Sequence, residues 1–219
     1  MASWTTAPEA KTGTWVTYRQ TPLGVPPLYY GVPGRAPDQA SGRWHRQGEG
    51  FSQYLALSAM GAWAELVRQL TLRTVGQIES VHRNLWSVQV HGRRIADLAT
   101  FAKYDACGLD PDIAVDAHSR SQALADELRN SGYDGVLSPS AALPDAQEPN
   151  LTLFGPRVEV LVDGLSGTGS ANHVGSLDPG LWCSAAWLAY HAAPPASLSL
   201  RTRFLGTAHR GLQEWRAKV

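Results

Sequence analysis

The sequence predicts a single α+β domain, and three observations carry that reading. Short apolar segments of strand length gather around only two helical patterns, instead of alternating strand by helix as in a doubly wound sheet. The chain has 219 residues, enough for one domain with a sizeable core, or for one domain with an elaborated tail. Its composition, 43% hydrophobic and 17% charged, is that of an ordinary soluble globular protein.

The elements follow in order. Residues 1–13 are polar, contain Pro, Gly and Thr, and read as a loose lead-in. Residues 14–18 turn β-like, and Arg19 closes that strand before a proline- and glycine-rich stretch at 22–37, a long loop of the kind that often carries function. It ends at Gly42-Arg43-Trp44. Residues 53–57 form a short apolar strand, and Ser58 is the N-cap of a helix running to about Leu70. Ala59, Ala62, Trp63, Leu66, Val67 and Leu70 recur at helical spacing as one buried stripe. At about 100° per residue, Glu65 falls on the opposite side and faces either water or a pocket.

Two more strands are expected at 72–78 and 85–91, with a further short one at 95–98. A second helix is expected at 119–130, with Ala123, Leu124 and Leu128 as its apolar face and Asn130-Ser131-Gly132 as its stop. Residues 135–137 read as a short buried strand leading into Ser138-Pro139-Ser140, and 151–154 and 158–162 as two more. A glycine-rich loop at 164–180 precedes a tail with an apolar stretch at 181–190, a Pro194-Pro195 break and basic Arg201, Arg203, Arg210 and Arg216. The tail either completes the core or covers an edge. The chain thus divides into the lead-in, 1–13, a domain at 14–163, and an extension at 164–219 packed on that domain.

Charge and cysteines exclude several classes. Nineteen basic and nineteen acidic side chains cancel, so no global field recruits nucleic acid or an anionic membrane, and any anion site has to be local. Met1-Ala2-Ser3-Trp4-Thr5-Thr6 lacks the charged start and apolar stretch of a secretory signal. No apolar run approaches the ~20 residues that span a bilayer. Cys107 and Cys183 stand far apart, and the expectation is a cytoplasmic protein with reduced thiols. Its oligomeric state is left open.

Metal chemistry fits poorly: His45, His82, His91, His118, His173, His191 and His209 are scattered, and no His-Glu-x-x-His helix exists. Gly164-Leu165-Ser166-Gly167-Thr168-Gly169 lacks the Gly-Lys-Ser/Thr ending of a phosphate loop. Ser166 does not sit in a nucleophile elbow, because Thr168 stands where a second glycine is needed. Taken singly, Arg19 and Arg43 read as solvated, Tyr54 as core packing and Glu65 as a helix's wet face. Their combination is more specific.

Gly42-Arg43-Trp44, then Tyr54-Leu55-Ala56 and Ala64-Glu65, with Arg19 upstream, resembles the RES-domain family, named for its arginine, glutamate and serine. Gln122-Ala123-Leu124-Ala125 and Gly132-Tyr133-Asp134-Gly135-Val136-Leu137-Ser138-Pro139-Ser140 resemble that family's serine block. Asn150-Leu151 to Leu153-Phe154 resembles the strand that follows it. The likeness covers about residues 17–162. It departs at His45-Arg46-Gln47-Gly48, where the family usually has an asparagine and prolines, and beyond Val162 there is no counterpart.

The resemblance implies an ADP-ribosyltransferase-like fold of mixed sheets with flanking helices. It implies an enzyme that destroys NAD by cleaving its nicotinamide–ribose bond, with water or inorganic phosphate as acceptor and no separate cofactor or metal. It also implies a toxin held in check by a small helical antitoxin of the Xre type. The implied site is Arg19, Arg43, Tyr54, Glu65 and Ser140.

The residue types suit that reaction. Cleavage builds positive charge on the ribose, which a carboxylate stabilises while anchoring a hydroxyl, the role read for Glu65. Nicotinamide leaves as a neutral base, so no general acid is needed. Arg43 first and Arg19 second can fork onto the pyrophosphate, or either can hold an acceptor phosphate. Tyr54 offers a ring face. Ser140, favoured over Ser138 by the resemblance, either bonds the ligand or orients Glu65, and no histidine is placed to make it a nucleophile. Two other classes stay open: a transferase of ADP-ribose or a ribosyl group onto a protein or small molecule, and a non-catalytic binding module of the same fold.

Overall fold

The computed structural model describes residues 3–22, 39–48, 51–70, 80–115, 118–143 and 148–155, positions 74 and 77, and short strands at 160–161, 164–165 and 171–177. The loop expected at 22–37 lies outside these residues apart from Pro22, as do the strand expected at 72–78 apart from Thr74 and Gln77, and the tail from 181 onward.

The first strand, β1 (Ala10–Pro22), alternates outward and inward side chains over its first half, the period-2 pattern of a half-buried strand. It is longer than expected at both ends, and Arg19 lies within it. Ladder pairing explains the extra length: β1 runs antiparallel to β3 (Arg83–Asp97) from Ala10↔Ala96 to Pro22↔Arg83. Buried Thr17 spends its hydroxyl on the Val88 carbonyl at 2.7 Å. The two strands expected at 85–91 and 95–98 are this one strand. Between the pairs Gly13↔Gly92 and Lys11↔Ile95 the register slips, so three steps of β3 face two of β1. Such a bulge breaks the inward–outward alternation without ending the strand.

β2 (Phe51–Ala56) leads into α1 (Ala59–Gln69), one of whose free first-turn amides is met by the Ser58 hydroxyl, accepting from Gly61 N at 2.8 Å. Ala62, Trp63, Leu66 and Val67 are buried on the sheet as the periodicity required, whereas Leu70, the C-cap, is 40% exposed. A short helix α2 (Phe101–Ala106) and a 3-10 turn (Pro111–Ala114) follow β3. The sequence reading contained neither, because one or two turns give too few residues to show a period. α3 (His118–Asn130) stops where expected, with Gly132 at φ 78°, a left-handed backbone that glycine adopts without strain. β4 (Gly135–Pro139) and β5 (Pro149–Gly155) correspond to the strands expected at 135–137 and 151–154; of the strand expected at 158–162, the described residues form β6 (Val160–Leu161), which pairs with β7 (Gly164–Leu165). The stretch expected as a glycine-rich loop also contains β8 (Ala171–Leu177), which pairs with β3.

The architecture is mixed α+β. The main sheet runs β1-β2-β5-β4-β3-β8, and β1 pairs back onto β3. The β1–β2 junction is a single register pair, Tyr18↔Ala56, so the strands close round on themselves with one thin seam. Leu55, Val88, Val90, Ile95, Leu137 and Leu151 from β2 to β5 pack together inside. α1 covers one side with Trp63, Leu66 and Val67, and α2, the 3-10 turn and α3 cover another with Phe101, Tyr104 and Leu128. Each such fully buried large side chain contributes roughly 1.5–3 kcal/mol.

Candidate active site

A cleft of ≈ 410 Å³ opens at the thin seam, between β1, β2, α1 and the turn at Gly42 to His45. Arg19, Arg43, Tyr54 and Glu65 all line it, so the structure brings together four of the five residues read from the sequence. Ser140 is fully buried and stands behind Glu65.

The Arg43 turn is built by close backbone approach. Gly42 N donates to the His45 carbonyl at 3.1 Å, placing Arg43 and Trp44 at the tip. A Cβ on Gly42 would lie 2.6 Å from the Tyr54 hydroxyl and 2.8 Å from the His45 ring, so a larger residue there displaces the Tyr54–His45 pair. α3 holds the turn from outside. Gln122 Nε2 donates to the Gly42 and His45 carbonyls at 2.8 and 3.1 Å, Ser121 to the Arg43 carbonyl at 2.8 Å, and Arg129 to the Trp44 carbonyl at 2.7 Å. Arg129 also lies 4.5 Å from the Phe154 ring centre.

Tyr54 is a link in a hydrogen-bond chain. Trp44 N donates to its hydroxyl at 2.9 Å, and the hydroxyl lies 2.9 Å from His45 Nδ1. His45 Nε2 is 2.8 Å from the Ala40 carbonyl, which only accepts. Nε2 therefore carries the proton, and Nδ1 accepts from Tyr54. Burial, with Arg129 nearby, lowers the His45 pKa and favours this neutral ring, and burial pushes the Tyr54 hydroxyl up to about 12. The departure at His45-Arg46-Gln47 thus has a function in the turn: His45 orients Tyr54, Arg46 pairs with Asp126, and Gln47 N donates to Ser41 at 2.9 Å.

Glu65 is fixed on one oxygen. Ser140 Oγ and Asn150 Nδ2 both donate to Oε1 at 2.9 Å, while Arg68 NH1 lies 3.7 Å from Oε2. Ser140 Oγ also accepts from Ala142 N at 3.2 Å. Its single proton is committed to Glu65, so of the two roles read for it the geometry fits orientation of the carboxylate. Arg43 NH1 donates to the Ile113 carbonyl at 3.3 Å. Burial, followed by the neighbouring Arg68, lowers its pKa, yet a guanidinium starts so high that it stays charged. Arg19, Arg43 and Arg68 line the cleft together with Glu65, Arg68 from the same helix as the carboxylate, so positive charge gathers locally in a chain of zero formal net charge. Burial, with Arg43 and Arg68 close by, also lowers His118 at the cleft rim. Among the described residues, no group of three His, Cys, Asp or Glu side chains can hold a metal ion.

The sequence reading missed Arg68, Asn150, His118 and the role of His45. Arg68 had a signal: three residues beyond Glu65, it shares that face of α1. Asn150 and His118 reach the cleft only through strand pairing and helix packing, which leave no local pattern.

Residues 18–167 match the RES domain, well over half of the chain, and the protein belongs to the RES-domain family. Among its relatives, a probable NAD(+) phosphorylase of Mycobacterium tuberculosis is 34% identical over 131 residues, 59% of this chain and 60% of that protein. A chain in the crystal structure of the M. tuberculosis MbcT–MbcA toxin–antitoxin complex shares the fold, with a TM-score of 0.58 and 21% identity over 84% of this chain and 92% of that one.

Proposed function

We propose that the protein cleaves the nicotinamide–ribose bond of NAD and passes the ribose C1″ to inorganic phosphate, with water as the alternative acceptor. The observation that carries this reading is Glu65, pinned through Oε1 by Ser140 and Asn150 in a cleft lined with arginines. As the C1″–N bond breaks, its electron pair stays on nicotinamide, whose ring becomes neutral, and positive charge develops on the ribose. A carboxylate already oriented stabilises that charge without reorganising, the most effective form of electrostatic catalysis. A phosphate oxygen then bonds to C1″, giving ADP-ribose 1″-phosphate. Three guanidiniums against one carboxylate match the charge of a pyrophosphate together with a second anion.

The relative named as a probable NAD(+) phosphorylase supports the substrate, and the toxin–antitoxin complex that shares this fold supports a partner. The proposal extends to a toxin of the cytoplasm restrained by a small helical antitoxin of the Xre type. Incubation of the purified protein with NAD, with and without phosphate, separates the acceptors. Phosphorolysis predicts phosphate-dependent release of nicotinamide with ADP-ribose 1″-phosphate; free ADP-ribose at a phosphate-independent rate identifies hydrolysis instead. No nicotinamide under either condition refutes the reading. Relief of growth arrest by co-expressing the neighbouring gene product tests the partner.

A further inference from the structure

We propose that Asn150 is a positioning residue that fixes the Glu65 carboxylate for the reaction, acting from the sheet side while Ser140 acts from behind. The proposal rests on the reading of Glu65 as the charge-stabilising group. Asn150 is the second residue of β5, paired with Ala56 of β2 on one edge and with Ser138 of β4 on the other. Its backbone is held by both neighbouring strands, so its side chain is a fixed reference for a carboxylate carried on α1.

The contact itself is specific. Asn150 Nδ2 and Ser140 Oγ converge on the same oxygen, Oε1. Two donors on one carboxylate oxygen fix the rotation of the group as well as its position, and leave Oε2 beside Arg68. The amide orientation follows from charge, since turning Oδ1 toward Glu65 would set two acceptors against each other. Asn150 Oδ1 is buried without a hydrogen-bond partner among the described residues, so packing does not demand an amide there. Asn150 also lines the cleft, whereas Ser140 does not.

Asn150→Asp and Asn150→Ala separate positioning from packing. Asp keeps the shape but replaces the donor with a second carboxylate against Glu65; Ala loses both shape and donor. The proposal expects Asn150→Ala to lower kcat about tenfold or more with KM within about threefold, and Asn150→Asp to be worse than Asn150→Ala. A packing role reverses that order, and Asp outperforming Ala overturns the proposal. Should Asn150→Asp fail to fold, the Asn150→Ala kinetics decide, and a loss confined to KM or to the folded fraction overturns it. A crystal structure of Asn150→Ala gives a reading independent of substrate. The Glu65 carboxylate is expected to lose its single orientation, and finding it unmoved on Ser140 overturns the proposal. Wild-type protein that releases no nicotinamide refutes the NAD reading alone, and the crystallographic result still decides the placement.

Discussion

The Tyr54 hydroxyl joins two elements, β2 and the Arg43 turn, that also meet where Ser52 Oγ donates to the Trp44 carbonyl at 3.2 Å. It accepts from the Trp44 amide and donates to His45 Nδ1, tying β2 to the Arg43 turn. Because burial pushes it up to about 12, it stays protonated and keeps donating across the physiological range. Tyr54→Phe strands a backbone N–H and a ring nitrogen in a part-buried site, and is expected to cost about 1–3 kcal/mol in urea denaturation and to raise KM for NAD as the Arg43 turn loosens. Unchanged stability and KM would show that the chain of bonds is dispensable. Single residues were legible in the sequence where chemistry and local period agreed. Glu65 stood off a clear apolar stripe, and Arg43 ended a long loop. Asn150 did not, because its partner is 85 residues away and only sheet register brings them together.

Two elements position the site and can be tested directly. α1 carries Glu65, and its start is set by Ser58, whose hydroxyl accepts from Gly61 N and bonds the Glu148 carboxylate. Ser58→Ala is expected to destabilise the protein by about 1 kcal/mol, read as a shift in denaturation midpoint. No shift would mean that the cap is redundant. At the far end of β3, buried Asp97 is bonded by Lys103 and Lys11, which ties β1 and α2 together. Burial alone would raise the Asp97 carboxyl, but the hydrogen bonds from Lys103 and Lys11 outweigh it and hold the pKa below the usual carboxylate range. A carboxyl lowered in the folded state contributes stability that is present above its unfolded value, about 3.9, and is lost as pH falls through the folded value. Asp97→Asn should therefore lose less stability than wild type between about pH 5 and pH 2. Equal losses would remove Asp97 from the acid response. Helix α1 was readable to its cap because eleven residues show a period. β3 read as two strands because its bulge interrupts the alternation, and β8 read as loop because its glycine and polar residues are strand only by pairing with β3.

For the whole molecule, the strands close through one register pair at Tyr18↔Ala56, and the cleft lies at that seam. Arginines from β1, the turn and α1 line it with one carboxylate, so positive charge gathers locally in a chain whose formal charges balance. The α+β class was legible from the number and length of apolar segments. The closure was not, since it depends on β1 pairing with both β2 and β3. Nicotinamide release by wild type and by Glu65→Ala in phosphate buffer tests whether Glu65 in this cleft drives cleavage of NAD. Wild type is expected to release nicotinamide, and Glu65→Ala to be slower by a factor on the order of 10²–10³ while still folding, since Glu65 lies outside the apolar stripe, its thermal midpoint lowered by the stranding of Ser140 and Asn150. Full activity in Glu65→Ala, or no release by wild type, would contradict the account.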